Sequence, residues 1–278
     1  MKNIVVMLCC AVFCGCTDSA TFALRIASYN IRQDTPRDSL NAWSYRKEAV
    51  KALIQYHDFD IVGTQEGFLH QLQDLCQMPG YAYVGAGRDD GKEKGEHSAI
   101  VYKKEKFALL DSGNYWLSET PDVPSAGWDA TRHKRICSWA KFEHRSTSAT
   151  FYVFCVHFDH QGVVAQQESA KLMVEKIRII AGEMPVICVG DLNSKPETAP
   201  VGVMSGFLRN AMAVSEAPPY GPEETSNTAF SVPIDKRIDY IFVSRHFSVQ
   251  KYAVLTDLRT ACYFPSDHQP VVADLKLK

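Results

Sequence analysis

The chain is punctuated by short apolar segments, several of which begin or end on a polar residue: LRIASYN, DIVGTQE, YAYVGA, SAIVYK, SWAKFEH, TFYVFCVHF, PVICVGDLN, RIDYIFVS and PVVADLKL. Runs of this length, rich in Val, Ile, Tyr and Phe, predict strands. Three stretches with one apolar stripe predict helices: 44–57, 67–77 and 164–181. Strands outnumber helices, and a helix with one apolar stripe must bury it against a sheet. The expectation is an α/β protein with two sheets packed together and helices outside.

Length allows this in one domain, because 278 residues with 46% apolar composition bury a large core. No repeat or linker divides residues 22–278. The Pro- and Glu-rich stretch 215–228, SEAPPYGPEETSNT, reads as a long surface loop. A formal net charge of −2 carries no polyelectrolyte signature, so nucleic acid is not indicated and any phosphate site must be local.

The start, MKNIVVMLCCAVFCGC, has one early Lys and an apolar run shorter than the roughly 20 residues of a membrane span. It reads as an export signal. Its end, Phe13-Cys14-Gly15-Cys16, resembles a bacterial lipobox, which implies a signal peptide over 1–15, lipidation of Cys16 and a tether over 16–23. The domain then covers 24–278, anchored to the cell envelope at the outer membrane, on its periplasmic or outer face. An ordinary signal peptide cut a little later is the alternative.

Past the leader stand Cys76, Cys137, Cys155, Cys188 and Cys262, an odd number without a C-x-x-C pair, which argues against a disulfide framework and a zinc knuckle. Cys155 and Cys188 lie inside apolar runs and read as small buried hydrophobes.

The chemistry gathers at strand ends: Asn30, Glu66, His157, Asp191, Asn193, Asp239, and Asp267 with His268. Each alone has a plain explanation as a turn former or cap. Aligned strands, however, bring their ends to a common rim, where these groups can converge. The carboxylates and the Asn30 amide are hard oxygen ligands suited to Mg²⁺, with Mn²⁺ or Ca²⁺ as alternatives. The histidines beside them supply protons or stabilise charge.

The ordered blocks SYNIR (28–32), TQE (64–66), VHFDH (156–160), GDLNSKP (190–196), RIDYIFVS (237–244) and PSDHQPV (265–271) resemble the endonuclease/exonuclease/phosphatase superfamily over about Arg25 to Lys276. That resemblance implies a four-layer αββα sandwich and a metal-dependent phosphoester hydrolase, leaving nuclease, phosphodiesterase and phosphatase open. It implies Glu66 and Asp267 at the metal, with Asn30 as ligand or orienter. Asp191 positions and deprotonates water, and Asn193 donates to a phosphoryl oxygen. His268 stabilises developing charge, with Asp239 accepting its other N–H. His157 is a candidate general acid whose implied partner is Glu96, and a Glu96–His157 hydrogen bond would raise its affinity for a proton. Adjacent residues of an extended segment point oppositely, so Asp267 and His268 need a bend at 266–269 to serve one site.

Many relatives carry an Arg where this chain has Gln166 and Gln167, so the cationic phosphate contact expected there is either absent or supplied by Arg88, Arg132 or Arg135. Arg88 and Arg135, with Trp128 and Trp139, can clamp a phosphate and stack a ring, plain core packing being the alternative reading of the two tryptophans. A small phosphorylated molecule or phosphodiester headgroup fits the charge better than duplex DNA. The membrane is expected as a partner through the lipid anchor, and no protein partner is evident. Two other readings compete: a zinc hydrolase built on HFDH (157–160), and a non-catalytic binding module on the same fold.

Overall fold

The computed structural model of the protein describes residues 22–227 and 229–278. The expected signal peptide, Cys16 and all but the last two residues of the expected tether lie outside them. Phe22 and Ala23 belong to the fold instead: β1 (Ala23–Asn30) starts there, and Phe22 accepts a hydrogen bond from the Leu277 amide.

The first sheet has the order β11-β12-β1-β2-β4-β3, built from β1, β2 (Ile61–Gly67), β3 (Tyr81–Val84), β4 (His97–Lys103), β11 (Phe247–Val254) and β12 (Val271–Leu277). The second has the order β5-β6-β7-β8-β10-β9. It contains β5 (Phe107–Trp116), β6 (Ile136–His144), β7 (Thr150–His157), β8 (Val186–Asp191), β9 (Arg209–Asn210) and β10 (Asp239–Val243). Both sheets are mixed, with one parallel pair each, β1·β2 and β7·β8.

Strand periodicity sorts the side chains into layers. In β7, Phe151, Val153 and Cys155 face the other sheet together with Ile26, Ile61, Ile187 and Val189. Tyr152, Phe154 and Val156 face outward under α3 (Val163–Ala181) and α4 (Ala199–Phe207). On the far side Ala27, Tyr29 and Val62 lie under α1 (Trp43–Tyr56) and α2 (Leu69–Leu75). The result is the expected αββα sandwich; each strand alternates because its two faces meet different layers. The sheets approach closely at Gly63, where a Cβ would lie 2.2 Å from Val189 Cγ2. The five cysteines are free, and Cys137, Cys155 and Cys188 are buried.

One expectation needs correction. The 215–228 stretch is not a surface loop throughout, because Thr225, Ser226 and Asn227 are buried. Backbone bonds tie Thr225 and Ser226 to Lys236, Asn227 to Asp267, and Gln269 back to Thr225. A short polar segment can be buried here because its amides and carbonyls find partners on two neighbouring loops.

Candidate active site

Parallel strands deliver their C-terminal ends to one rim and antiparallel strands deliver their starts. Asn30, Glu66, His157 and Asp191 therefore meet Asp239 and the loop before β12. The register places His157 beside Asp191 on one flank and Asp239 beside Asp191 on the other. Three residues at the site, Arg32, Glu66 and Asn193, have positive φ (57°, 65° and 46°) although none is glycine. Backbone strain of this kind, of order 1–3 kcal/mol each, persists only where surrounding contacts over-determine the conformation.

Asp191 lies at the centre. Its Oδ1 accepts the Asn193 N–H (2.8 Å) and its Oδ2 accepts from Asn30 Nδ2 (3.1 Å). The same Oδ2 stands 3.6 Å from His157 Nε2 and 3.9 Å from His268 Nε2. Burial, with the neighbouring Asp239 charge, pushes its carboxyl up to about 7.

His268 looks to Asp239, with Nδ1 2.8 Å from Oδ2, and Asp267 looks elsewhere. Burial opposes charge on this imidazole, but Asp239, Asp191 and Asp267 outweigh it and hold its proton well above the ordinary histidine range. Thr225 Oγ1 donates to the same Asp239 oxygen (2.7 Å) while accepting the Ile238 and Asp239 amides (3.1 Å each). The bend between Pro265 and Pro270 is held by Ser266 Oγ, which donates to Asn30 O (2.7 Å).

Glu66 and Asp267 share one cation. Arg32 Nη1 lies 3.9 Å from Glu66 Oε2 and 3.5 Å from Asp267 Oδ2, while Nε and Nη2 hold Asp38. Burial works against ionised Glu66, yet Arg32, His268 and Asn30 keep its carboxyl below the usual range. Burial and the Glu66 charge raise Asp267. The Asn30 oxygen is taken by the Arg32 amide (3.0 Å), so its NH₂ faces Glu66 (3.0 Å) and Asp191. Asn30 therefore sits as an orienter of carboxylates.

The expected Glu96–His157 hydrogen bond is not formed. Glu96 Oε2 accepts from Arg88 Nη1 (2.7 Å), and His157 Nε2 faces Asn193 Nδ2 (3.0 Å). The Asn193 amide also donates to Phe158 O (3.1 Å), which fixes its NH₂ toward the ring, makes Nε2 the acceptor and leaves neither amide hydrogen for the expected phosphoryl oxygen. A carboxylate beside fixed guanidinium charge takes that partner first. Burial, then Arg135 and Arg88, drive the His157 proton affinity well below the ordinary value, opposite to the expectation. Burial raises Glu96 to about 7 despite Arg88.

A polar cavity of about 240 Å³ opens over these groups. Arg88 and Arg135 line it, as do Arg32, Gln33, His133 and His160, none of which the sequence singled out as substrate ligands. Trp128 and Trp139 do not line it; Trp139 packs on Tyr152 outside the second sheet, and Trp116 is the indole that bonds Arg88 O (2.7 Å). Arg132 is exposed outside the lining. Gln166 ties Asp159 O (2.8 Å) to Asn193 O (3.1 Å).

The HFDH segment offers no zinc site. Asp159 accepts the Gln161 and Gly162 amides, ahead of α3, and pairs with Arg135, while His160 Nδ1 accepts from Arg135. Among the described residues the one group of three with metal-ligand spacing is Asp191, Asp239 and His268, whose atoms lie within 4.8 Å of one another. Asp239 Oδ2 is already held by His268 and Thr225, so a cation fits better between the hard carboxylates of Glu66 and Asp267, where Arg32 now sits.

Residue Arg46 was also missed. It is fully buried on α1 and donates to Ile31 O, Arg32 O (2.6 Å), Asn41 O (2.9 Å), Gln33 O (3.5 Å) and Pro265 O (3.3 Å). It thereby joins the loop after β1 to the Asp267–His268 loop. Its sequence signal is an Arg inside the stripe Trp43, Val50, Leu53, Ile54.

The chain resembles known proteins over nearly all of this fold. The Endonuclease/Exonuclease/phosphatase family profile matches residues 27–268. An endonuclease/exonuclease/phosphatase family protein of Bacteroides thetaiotaomicron is 42% identical with a TM-score of 0.88, covering 93% of this chain and 99% of that one. A mannosyl-6-phosphatase of Bacteroides thetaiotaomicron VPI-5482 is 44% identical with a TM-score of 0.85, covering 91% and 99%. An uncharacterized protein of Acanthamoeba polyphaga mimivirus is 29% identical over 164 residues, and the match spans 61% of that relative's length.

Proposed function

The chain belongs to the endonuclease/exonuclease/phosphatase family of hydrolases, and from that premise we propose that it is a phosphomonoesterase releasing phosphate from a small, hydrophilic phosphorylated molecule, a sugar 6-phosphate first among them. The observation that carries this reading is the cavity lining. All twelve residues are polar or ionisable, without an aliphatic side chain or a Phe, Tyr or Trp face. Nucleobases bound without sequence preference are usually stacked on aromatic rings, and acyl chains need apolar walls. At about 240 Å³ the cavity falls below the ~300–1,000 Å³ of sites for drug-sized ligands. Arg88, Arg135 and protonated His268 suit a phosphomonoester dianion better than a singly charged diester.

In the mechanism, Asp191 orients a water and takes its proton, its raised proton affinity matching a base that works near neutrality. The Asn193 backbone amide and the Asn30 side chain hold the two Asp191 oxygens in place. The water oxygen forms its bond to phosphorus as the ester oxygen departs in line. His268, kept protonated by Asp239, faces the negative charge spreading over the phosphoryl oxygens and is the imidazole able to give a proton to the leaving oxygen. His157, neutral, accepts from Asn193 and keeps that amide aligned. A divalent cation such as Mg²⁺ held by Glu66 and Asp267 would neutralise phosphoryl charge.

Export, lipidation at Cys16 and attachment to the cell envelope complete the proposal; they rest on the leader sequence. The test is a screen of sugar phosphates, phosphodiesters and nucleic acids with and without EDTA and added Mg²⁺, with Asp191→Ala and His268→Ala as blanks. Monoester hydrolysis lost in EDTA and absent from both blanks supports the reading. Preferential diester cleavage, or no hydrolysis above the blanks, overturns it.

A further inference from the structure

Beside the phosphoryl-handling groups the cavity lining has two imidazoles, His160 and His133, that the chemistry above does not use. His160 is anchored through Arg135, which is buried and fixed at two points. Its Nε donates to Asp159 Oδ1 (3.4 Å), and its Nη2 donates to His160 Nδ1 (3.0 Å). Asp159 is itself held by the Gln161 and Gly162 amides (3.0 and 2.7 Å). A guanidinium has only donors, so His160 Nδ1 must accept and its one proton stands on Nε2. His133 lies against it, ring centroids 5.7 Å apart and tilted 35°. Both rings line the cavity, as do Arg88 and Glu96.

We infer that His160, locked by Arg135 as a fixed N–H donor with His133 beside it, forms a subsite that recognises a hydroxyl of the substrate's leaving group, selecting polyhydroxylated esters such as sugar phosphates. This deepens the phosphomonoesterase reading and rests on it. Burial first, and Arg charge second, lower the proton affinity of both rings, which leaves them neutral. Neutral donors suit an uncharged hydroxyl, whereas the dianion is met by the arginines and His268. A fixed donor also discriminates: a substrate lacking the hydroxyl leaves the N–H without a partner.

The test compares mannose 6-phosphate with phenyl phosphate, which presents no hydroxyl. In His160→Phe the ring shape remains and the donor is lost; the kcat/KM ratio of mannose 6-phosphate to phenyl phosphate should fall about tenfold, mainly through KM. His160→Gln can accept from Arg135 through its oxygen and donate through its NH₂, and should recover at least half of that loss on a logarithmic scale. A ratio unchanged in His160→Phe overturns the subsite, as does a loss that Gln does not recover. Binding separates the two levels of the reading: in Asp191→Asn protein, mannose 6-phosphate should bind about tenfold tighter than inorganic phosphate, and His160→Phe should erase the difference. Equal binding of the two in the Asp191→Asn parent removes the subsite and leaves the phosphatase reading standing. Binding of neither, with no monoester turnover in wild type, removes both.

Discussion

Replacing Asp239 by Asn isolates the group that keeps His268 charged. Asp239 Oδ2 accepts from two donors, His268 Nδ1 at 2.8 Å and Thr225 Oγ1 at 2.7 Å. Thr225 cannot reverse its bond, because its oxygen accepts the Ile238 and Asp239 amides. The Asn oxygen must therefore take the Oδ2 position, which leaves its NH₂ at Oδ1, buried and without a hydrogen-bond partner. The two charge-assisted bonds to Oδ2, ~1.5–3 kcal/mol each, become neutral ones near ~1 kcal/mol, while the Oδ1 position has no hydrogen-bond partner before or after the substitution. The stability loss should be ~1–4 kcal/mol, read by denaturant unfolding. The sign follows from His268, whose folded proton affinity is raised: the pair stabilises fully below the unfolded histidine value near ~6.5 and loses this as pH rises through the folded value. The gap between wild type and Asp239→Asn should thus be larger at pH 6 than at pH 9. In catalysis, losing an imidazolium aimed at developing charge should lower kcat by ~10²–10³ at neutral pH. The alkaline limb of the kcat profile should also move to lower pH. A kcat within threefold of wild type with an unmoved alkaline limb would refute the charged-His268 reasoning.

Other consequences can be checked alongside. Because burial and Asp239 raise Asp191 to about 7, kcat should fall tenfold per unit as pH drops below that value, and Asp191→Asn should abolish the limb together with the activity. Arg46→Lys keeps the charge but cannot reach five carbonyls, so it should cost at least ~2 kcal/mol and lower kcat more than it raises KM; a variant as stable and active as wild type would show that the two loops need no such clamp. Gly63→Ala drives a methyl into Val189 between the sheets and should cost ~1–3 kcal/mol, measured by unfolding, without a change in KM.

Much of the site was legible because a strand end is a place as well as a residue. Asn30, Glu66, His157, Asp191 and Asp239 each follow or start an apolar run, and alignment of the runs brings them together whatever their separation along the chain. The His268–Asp239 pair is what the family resemblance implies, and the structure forms it at this rim, with Nδ1 2.8 Å from Oδ2. What stayed hidden belongs to segments without periodicity. Thr225 sits in a Pro- and Glu-rich stretch that reads as solvent-exposed, yet its hydroxyl and backbone are taken up by Lys236, Asp239 and Gln269. His133 lies in an irregular stretch before β6 that carries no pattern at all. Arg32 closes the SYNIR block, but nothing in the pattern assigns it a partner.

The misassigned partner of His157 shows where sequence stops. Glu96 had the right chemistry, but a carboxylate near both a histidine and a buried arginine bonds whichever group the backbone brings within reach, and here that is Arg88 at 2.7 Å. Sequence alone determined the layers, because alternation of apolar and polar residues along a strand is a local property that any two-faced sheet must satisfy. It also determined which functional groups reach the rim. Only the tertiary structure decided which imidazole carries the proton, since that depends on burial and on charges a few ångströms away that come from distant segments: Asp239 and Asp191 around His268, Arg88 and Arg135 around His157.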